Sequence, residues 1–417
     1  MLESLSKIAL AAGFIGAGAK SFLSYYINGP KCEKWPLWFQ VRRDAYVHVM
    51  KETSYEPLTD EQIEQLDFKK IAATEKKGNI PGRELPRKLG QVKQSAIKVG
   101  EVSIDEELFS GTGPAESGLR QLTAEDRTPE GMQRKIPYEI LVPKPMLKLA
   151  RIDEEKRKAL FECAPLDDNR CVILYLHGGG YRYGSPASHR PLVGRIALRT
   201  GVRCVSVDYR LATPHPYPAQ LHDAYIAFCY LLQQGFSPED IVIAGDSAGG
   251  NLALILALLL RHTGITTIRG LVLLSPWADL VVRRPSVEYN RPYDTLFAHP
   301  LTSPLDHARM YYAPGRKLSP EMLADLSHPL VSPISGDFKD FPPTLIQAGD
   351  KEVLYDEITQ LHKNIRAAND PVHSAKYVYE CYPDMIHVFH QVFDLPQTKA
   401  AYSSIGKFVR GLPKPML

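Results

Sequence analysis

The strongest chemical signal in the chain is Gly245-Asp246-Ser247-Ala248-Gly249, a serine set between glycines in the pattern G-x-S-x-G. The pattern alone is common, but its setting is specific. The apolar run IVIA (241–244) leads straight into it, and the apolar helical segment AGGNLALILALLLRH (248–262) leaves straight from it. A strand-to-helix turn that sharp tolerates only small neighbours, which accounts for Gly245, Gly249 and Gly250. It also sets Ser247 at a helix N-terminus, where free N–H groups and the helix dipole face developing negative charge. A glycine-rich turn with a capping serine, or a phosphate-binding loop, would use the same residues but would leave a second motif unexplained. That motif is His177-Gly178-Gly179-Gly180, directly after the apolar run CVILYL (171–176). Three glycines let a backbone approach a ligand closely and aim its N–H groups at it. In acyl transfer such groups hold the oxyanion of the tetrahedral intermediate. The expected donors are the N–H groups of Gly178 and Gly179, joined by that of Ala248, with Ser247 as nucleophile. His177 precedes the nucleophile and is expected to orient its loop rather than to act as base.

These loops need a frame. CVILYL (171–176), VRCVSV (202–207), IVIAG (241–245), GLVLLS (270–275), PTLIQAG (343–349) and KYVYECY (376–382) read as strands. Helical segments at 188–200, 219–235 and 248–262 fall between them. Apolar strands alternating with helices indicate an α/β protein, its parallel sheet covered on both faces. IPYEILVP (136–143) predicts a further strand, and a short one is expected near 94–104. The rest of 69–133 is polar and rich in Gly, Pro and charge, and reads as loops. Residues 35–68 hold two amphipathic helical pieces, WPLWFQVRRDAYVHVM and TDEQIEQLDF. The Pro-rich stretch 276–342 interrupts the alternation and predicts a cap over the carboxyl edge of the sheet.

HGGGY (177–181), DYRLATPHPYPA (208–219) and GDSAGGNLA (245–253) together resemble the hormone-sensitive lipase family of α/β-hydrolases, which includes arylacetamide deacetylase and fungal esterases. The likeness covers roughly 165–395; ATPHP departs from the family's usual APEHP. It implies an eight-stranded, mostly parallel sheet with a helical cap, no cofactor and no metal, and hydrolysis of short-acyl carboxylic esters. It also implies that an acid and then a histidine follow the serine. Aligning VLYDE (353–357) with the family's D-x-L-x-D-E string puts Glu352 in the place of the acid, with Asp350 as the alternative. A histidine followed shortly by phenylalanine points to His387, ahead of Phe389, as base; His390 is the alternative. Tyr181, Tyr183, Tyr209 and Trp277 are candidate pocket residues, although aromatic residues are more often plain core.

Net charge is +3, from 50 basic and 47 acidic residues, which gives no reason to expect a nucleic-acid partner. The six cysteines form no C-x-x-C pair and are expected to be mostly reduced. Residues 8–27 are long enough to cross a bilayer, but Lys20 and the Ala/Gly content make the stretch mild. Residues 1–27 are therefore expected to anchor in a membrane, to lie as a helix on the membrane surface or on the protein itself, or to be cleaved as a signal peptide, with 28–417 as the hydrolase domain. Membrane association, with the endoplasmic reticulum as a candidate site, suggests a lipophilic ester as the small-molecule substrate. Two rivals share the motifs: a non-catalytic small-molecule receptor of the same fold, and an acyltransferase.

Overall fold

The computed structural model describes residues 2–52, 82–104, 114–151, 153–166, 170–212, 214–265, 267–281, 284–296, 304–369, 375–392 and 394–413. The strands are β1 Gly90–Lys98, β2 Lys135–Pro143, β3 Val172–Leu176, β4 Arg203–Val207, β5 Ile241–Asp246, β6 Gly270–Leu274, β7 Thr344–Gly349 and β8 Tyr377–Tyr382. They form one eight-stranded sheet in the order β1-β2-β4-β3-β5-β6-β7-β8. β2 is antiparallel to both neighbours, and every other pairing is parallel. The fold is that of an α/β hydrolase. Side chains of β3 show why its sequence is a continuous apolar run: Val172, Leu174 and Leu176 enter one core, while Ile173 and Tyr175 enter the other.

The longer helices are α1 Leu2–Asn28, α2 Leu37–Glu52, α3 Pro114–Asp126, α4 Pro186–Thr200, α5 Ala219–Gln233, α6 Ala248–His262, α7 Pro304–Tyr312, α8 Tyr355–Ala367 and α9 Pro396–Gly411. α5, α6 and α8 bury Leu221, Leu252 and Ile358 on one face of the sheet. α4 and α9 bury Leu192, Ile196 and Ile405 on the other. α4 starts on a capping box between Ser185 and Ser188 and stops at Gly201, whose φ of +74° closes the last turn. The cap stretch carries α7 and the short helices Ser286–Tyr289 and Pro320–Leu326.

Two expectations change. The short strand expected near 94–104 occupies 90–98, and α3 lies inside the segment read as loops. α3 turns Leu119 and Thr123 inward, and the Thr123 hydroxyl lies 3.1 Å from His222 Nε2 on α5. One small inward side chain per turn is too faint a period to see in a polar sequence. The second amphipathic piece, 59–68, lies outside the described residues.

α1 is a single helix of 27 residues. No described helix is long and apolar enough to cross a membrane, so the expected anchor has no support. α1 instead packs against α2, and Ser21 Oγ donates to Asp44 Oδ2 across 2.8 Å. Cys32, Trp35 and Phe39 then dock on Met385, Ile386 and Phe389, forming a third core beside the end of β8. The indole N–H of Trp35 donates to the Asp384 carbonyl. Five of the six cysteines are buried, Cys381 is exposed, and none is in a disulfide.

Candidate active site

β5 ends at Asp246 and α6 begins at Ala248, leaving Ser247 alone on the turn with φ +52° and ψ −120°. A non-glycine residue in that region is strained by on the order of 1–3 kcal/mol and needs its surroundings to hold it. The Ser247 N–H donates to Leu274 O on β6 at 2.9 Å, and its carbonyl accepts the N–H groups of Asn251 and Trp277. The small neighbours are obligatory here: a Cβ on Gly249 would lie 2.1 Å from the Leu176 carbonyl oxygen.

His387, on the turn after β8, places Nε2 2.9 Å from Ser247 Oγ. Its Nδ1 lies 2.9 Å from Glu352 Oε2. Glu352 is fully buried, and its second oxygen accepts the Gly349 N–H at 2.8 Å. This order fixes the tautomer: Nδ1 donates to the carboxylate and Nε2 accepts from the serine. Burial works against a charge on His387, but the hydrogen bond and charge of Glu352, joined by the charge of Asp294, outweigh it and raise its pKa above the ordinary histidine value. Glu352 is thus the carboxylate beside the histidine. Asp350 does not reach the ring; its Oδ1 accepts the Asp384 N–H at 2.7 Å and ties the histidine loop to the end of β7. His390 points away and lies 3.0 Å from Gln347 Oε1, and burial pushes its pKa down to about 3, so it stays neutral.

The oxyanion loop corrects the expected donor set. The Gly178 N–H is already committed, donating to Asp246 Oδ1 at 3.0 Å. That carboxylate also accepts the Tyr175 hydroxyl at 2.6 Å and faces His189 Nε2 at 3.4 Å. Burial alone would raise the Asp246 pKa; the His189 charge and these bonds more than offset it and hold it at about 2. Gly178 therefore anchors the loop and leaves the donor set. Gly179 and Gly180 follow it with φ of +122° and +60°, and Gly180 borders the cavity at Ser247. The motif alone could not say which of three identical residues was spent on Asp246. His177 does orient the loop: it is buried, stacks on Tyr209 at 4.3 Å and sits 2.8 Å from the Gly178 carbonyl through Nδ1.

The cavity over Ser247 holds about 40 Å³ and is bordered by Gly180, Trp277, Leu296, His307 and Leu354. Of the four aromatic candidates, Trp277 lines it. Tyr181 and Tyr209 are buried packing residues, with Tyr181 stacked on Tyr311 at 3.8 Å. Leu296 and His307 come from the cap, where nothing in their local sequence marks them.

A serine, a histidine and a carboxylate at the carboxyl ends of β5, β8 and β7, facing a glycine loop after β3, define an α/β hydrolase. A family model described as alpha/beta hydrolase fold matches residues 173–391, just over half of the 417-residue chain, and the protein belongs to that family. It is of the hormone-sensitive-lipase-like kind. An acetyl-hydrolase from Streptomyces hygroscopicus is 36% identical over 242 residues, 57% of this chain and 75% of that protein. An esterase from Acinetobacter venetianus is 33% identical over 277 residues, 64% and 81% of the two chains. Among solved structures, an esterase from the bacterial hormone-sensitive lipase family superposes with a TM-score of 0.57 at 26% identity, covering 89% of this chain and 97% of its own.

Proposed function

We propose that this carboxylester hydrolase works through an acyl-enzyme on Ser247 and takes short-acyl esters of lipophilic alcohols. The observation that carries the reading is the pair of 2.9 Å contacts from Ser247 through His387 to Glu352, beside a cavity of about 40 Å³. His387 Nε2 takes the Ser247 proton as Oγ bonds to the acyl carbon. The carbonyl oxygen, now negative, rests on the N–H groups of Gly179, Gly180 and Ala248. The oxyanion collapses, the C–O bond to the alcohol breaks, and His387 returns the proton to the leaving oxygen. Water then enters, gives its proton to His387 and releases the acid by the same steps. The small cavity, bounded by Leu296, supports an acyl group of few carbons, and Trp277 and Leu354 offer an apolar wall to the alcohol.

A lipophilic substrate agrees with a membrane-surface role for α1, which leaves Ile15, Phe22, Leu23, Tyr26 and Ile27 exposed. Co-flotation of the full chain with phospholipid vesicles tests that part; protein that stays at the bottom of the gradient would refute it. For the chemistry, the full chain and Ser247→Ala are assayed on 4-nitrophenyl acetate, butyrate and octanoate and probed with a fluorophosphonate. Turnover and labelling in the wild type alone, with acetate or butyrate favoured, is the expected result. A variant that hydrolyses like the wild type would remove Ser247 from the mechanism.

A further inference from the structure

A second carboxylate lies beside the triad, supplied by the cap rather than by the sheet. Asp294 is fully buried. Its Oδ2 accepts the Val353 N–H at 2.8 Å, the residue next to Glu352. Its Oδ1 accepts the N–H of His387 itself at 3.1 Å. The same oxygen takes Thr295 N at 2.7 Å and Leu296 N at 3.3 Å, so the side chain also folds its own loop down. All four partners are donors, which suits an ionised carboxylate and no neutral side chain. Behind it, Arg43 of α2, also buried, donates through Nη2 to the carbonyls of Pro292 and Asp294. Four segments distant in sequence thus meet at one aspartate: α2, the cap, the loop after β7 and the loop after β8.

We propose that Asp294 is a positioning residue for the reaction: one carboxylate fixes the backbones that carry the acid and the base, sets their separation, and adds a negative charge behind the imidazole. The inference rests on the reading of Ser247, His387 and Glu352 as the reacting set. Glu352 occupies the ring's Nδ1, so Asp294 has no proton to move. Its charge still bears on His387, whose pKa is raised against burial by Glu352, Asp294 and Asp246. Among the described residues, these three carboxylates weigh most on the ring; His390, the neighbouring imidazole, stays neutral. Burial raises the pKa of Asp294, while the His387 charge and the N–H bonds act in the opposite direction.

Asp294→Asn tests the proposal with little change of volume. The amide oxygen can keep the three N–H groups on the Oδ1 side, but its NH2 then faces the Val353 N–H, donor against donor. The acid's loop loosens while the histidine's loop stays tied. The expected result on 4-nitrophenyl butyrate is a fall in kcat of about 100-fold, as for a misplacement near 1 Å, with KM little changed. The acid limb of kcat/KM should also move to lower pH, because removing the negative charge makes His387 easier to deprotonate. Asp294→Ala should cost more than Asn. Arg43→Lys, which retains one cation but not the two-carbonyl clamp, should lower kcat less and leave the limb in place. Loss of activity with the limb unmoved would reduce Asp294 to a structural strut and overturn the proposal, as would kcat within about threefold of wild type. Fluorophosphonate labelling of wild-type Ser247 separates the two layers: if it fails, the underlying reading of the triad fails, whatever Asp294 does.

Discussion

Glu352→Gln removes one charge from the site and almost no volume, which makes it the sharpest single test of the arrangement. In the wild type Oε2 accepts from His387 Nδ1 and Oε1 accepts from the Gly349 N–H. The glutamine can keep the Gly349 bond only by turning its NH2 toward the imidazole. That group donates, so the ring must present a bare Nδ1 and carry its proton on Nε2, where it faces Ser247 and cannot accept. Disturbing the tautomer in this way costs roughly 10⁴-fold in kcat in triads of this kind. That factor corresponds to about 5.5 kcal/mol of barrier. The buried charge that stabilises the imidazolium is lost at the same time, so the residual activity should show its acid limb at lower pH than the wild type. The assay is the pre-steady-state burst and steady-state rate on 4-nitrophenyl butyrate across pH, with thermal unfolding as a check on folding. Asp350→Asn is the paired control: it weakens the bond to the Asp384 N–H and removes the ion pair with Lys351, touches neither Glu352 nor the ring, and should cost about tenfold or less. Activity of Glu352→Gln within tenfold of wild type, or a deeper loss in Asp350→Asn, would refute the assignment of Glu352 as the acid.

Two more outcomes follow from the geometry. Asp246 has its pKa lowered from 3.8 to about 2, so it contributes stability above the ordinary carboxylate pKa that is lost as pH falls toward 2. Asp246→Asn should therefore lose about 2 kcal/mol at neutral pH, and the deficit should shrink as the pH is lowered; urea titrations at several pH values read both. Leu296→Ala enlarges the cavity wall and should raise the octanoate-to-acetate ratio of kcat/KM by about tenfold, measured on the 4-nitrophenyl esters.

Sequence and structure agree most closely where one local pattern carries one meaning. The runs 171–176, 241–245 and 270–275 became β3, β5 and β6 because strands buried on both faces must be apolar throughout. Ser247 was visible because its turn demands glycines on both sides; His387 and Glu352 stood out only through the resemblance to the family's patterns, and the contacts in the structure separate them from His390 and Asp350. The misses have physical causes. Gly178 and Gly180 look alike until Asp246 is seen to consume the N–H of the first. Asp294 sits in a loop with no period and no motif, and its meaning lies in backbone groups at 353 and 387, which leave no mark on its neighbours. α3 was invisible because few inward apolar side chains mark its period, and the surface beneath it belongs to α5.

The docking of the amino-terminal hairpin on the histidine loop bears on when the protein first becomes an enzyme. Trp35 and the carbonyl it holds, that of Asp384, are 349 residues apart. On a ribosome adding roughly 5–20 residues each second, the hairpin waits tens of seconds for its seat to be made. Ser247 and the glycine loop emerge well before His387, and α9, which covers one face of the sheet, comes later still. Until the segment around His387 has been made, the chain carries Ser247 without its histidine, and Trp35 has no seat. The contact between Ser247 and His387 therefore depends on the same late segment that seats the amino-terminal helices.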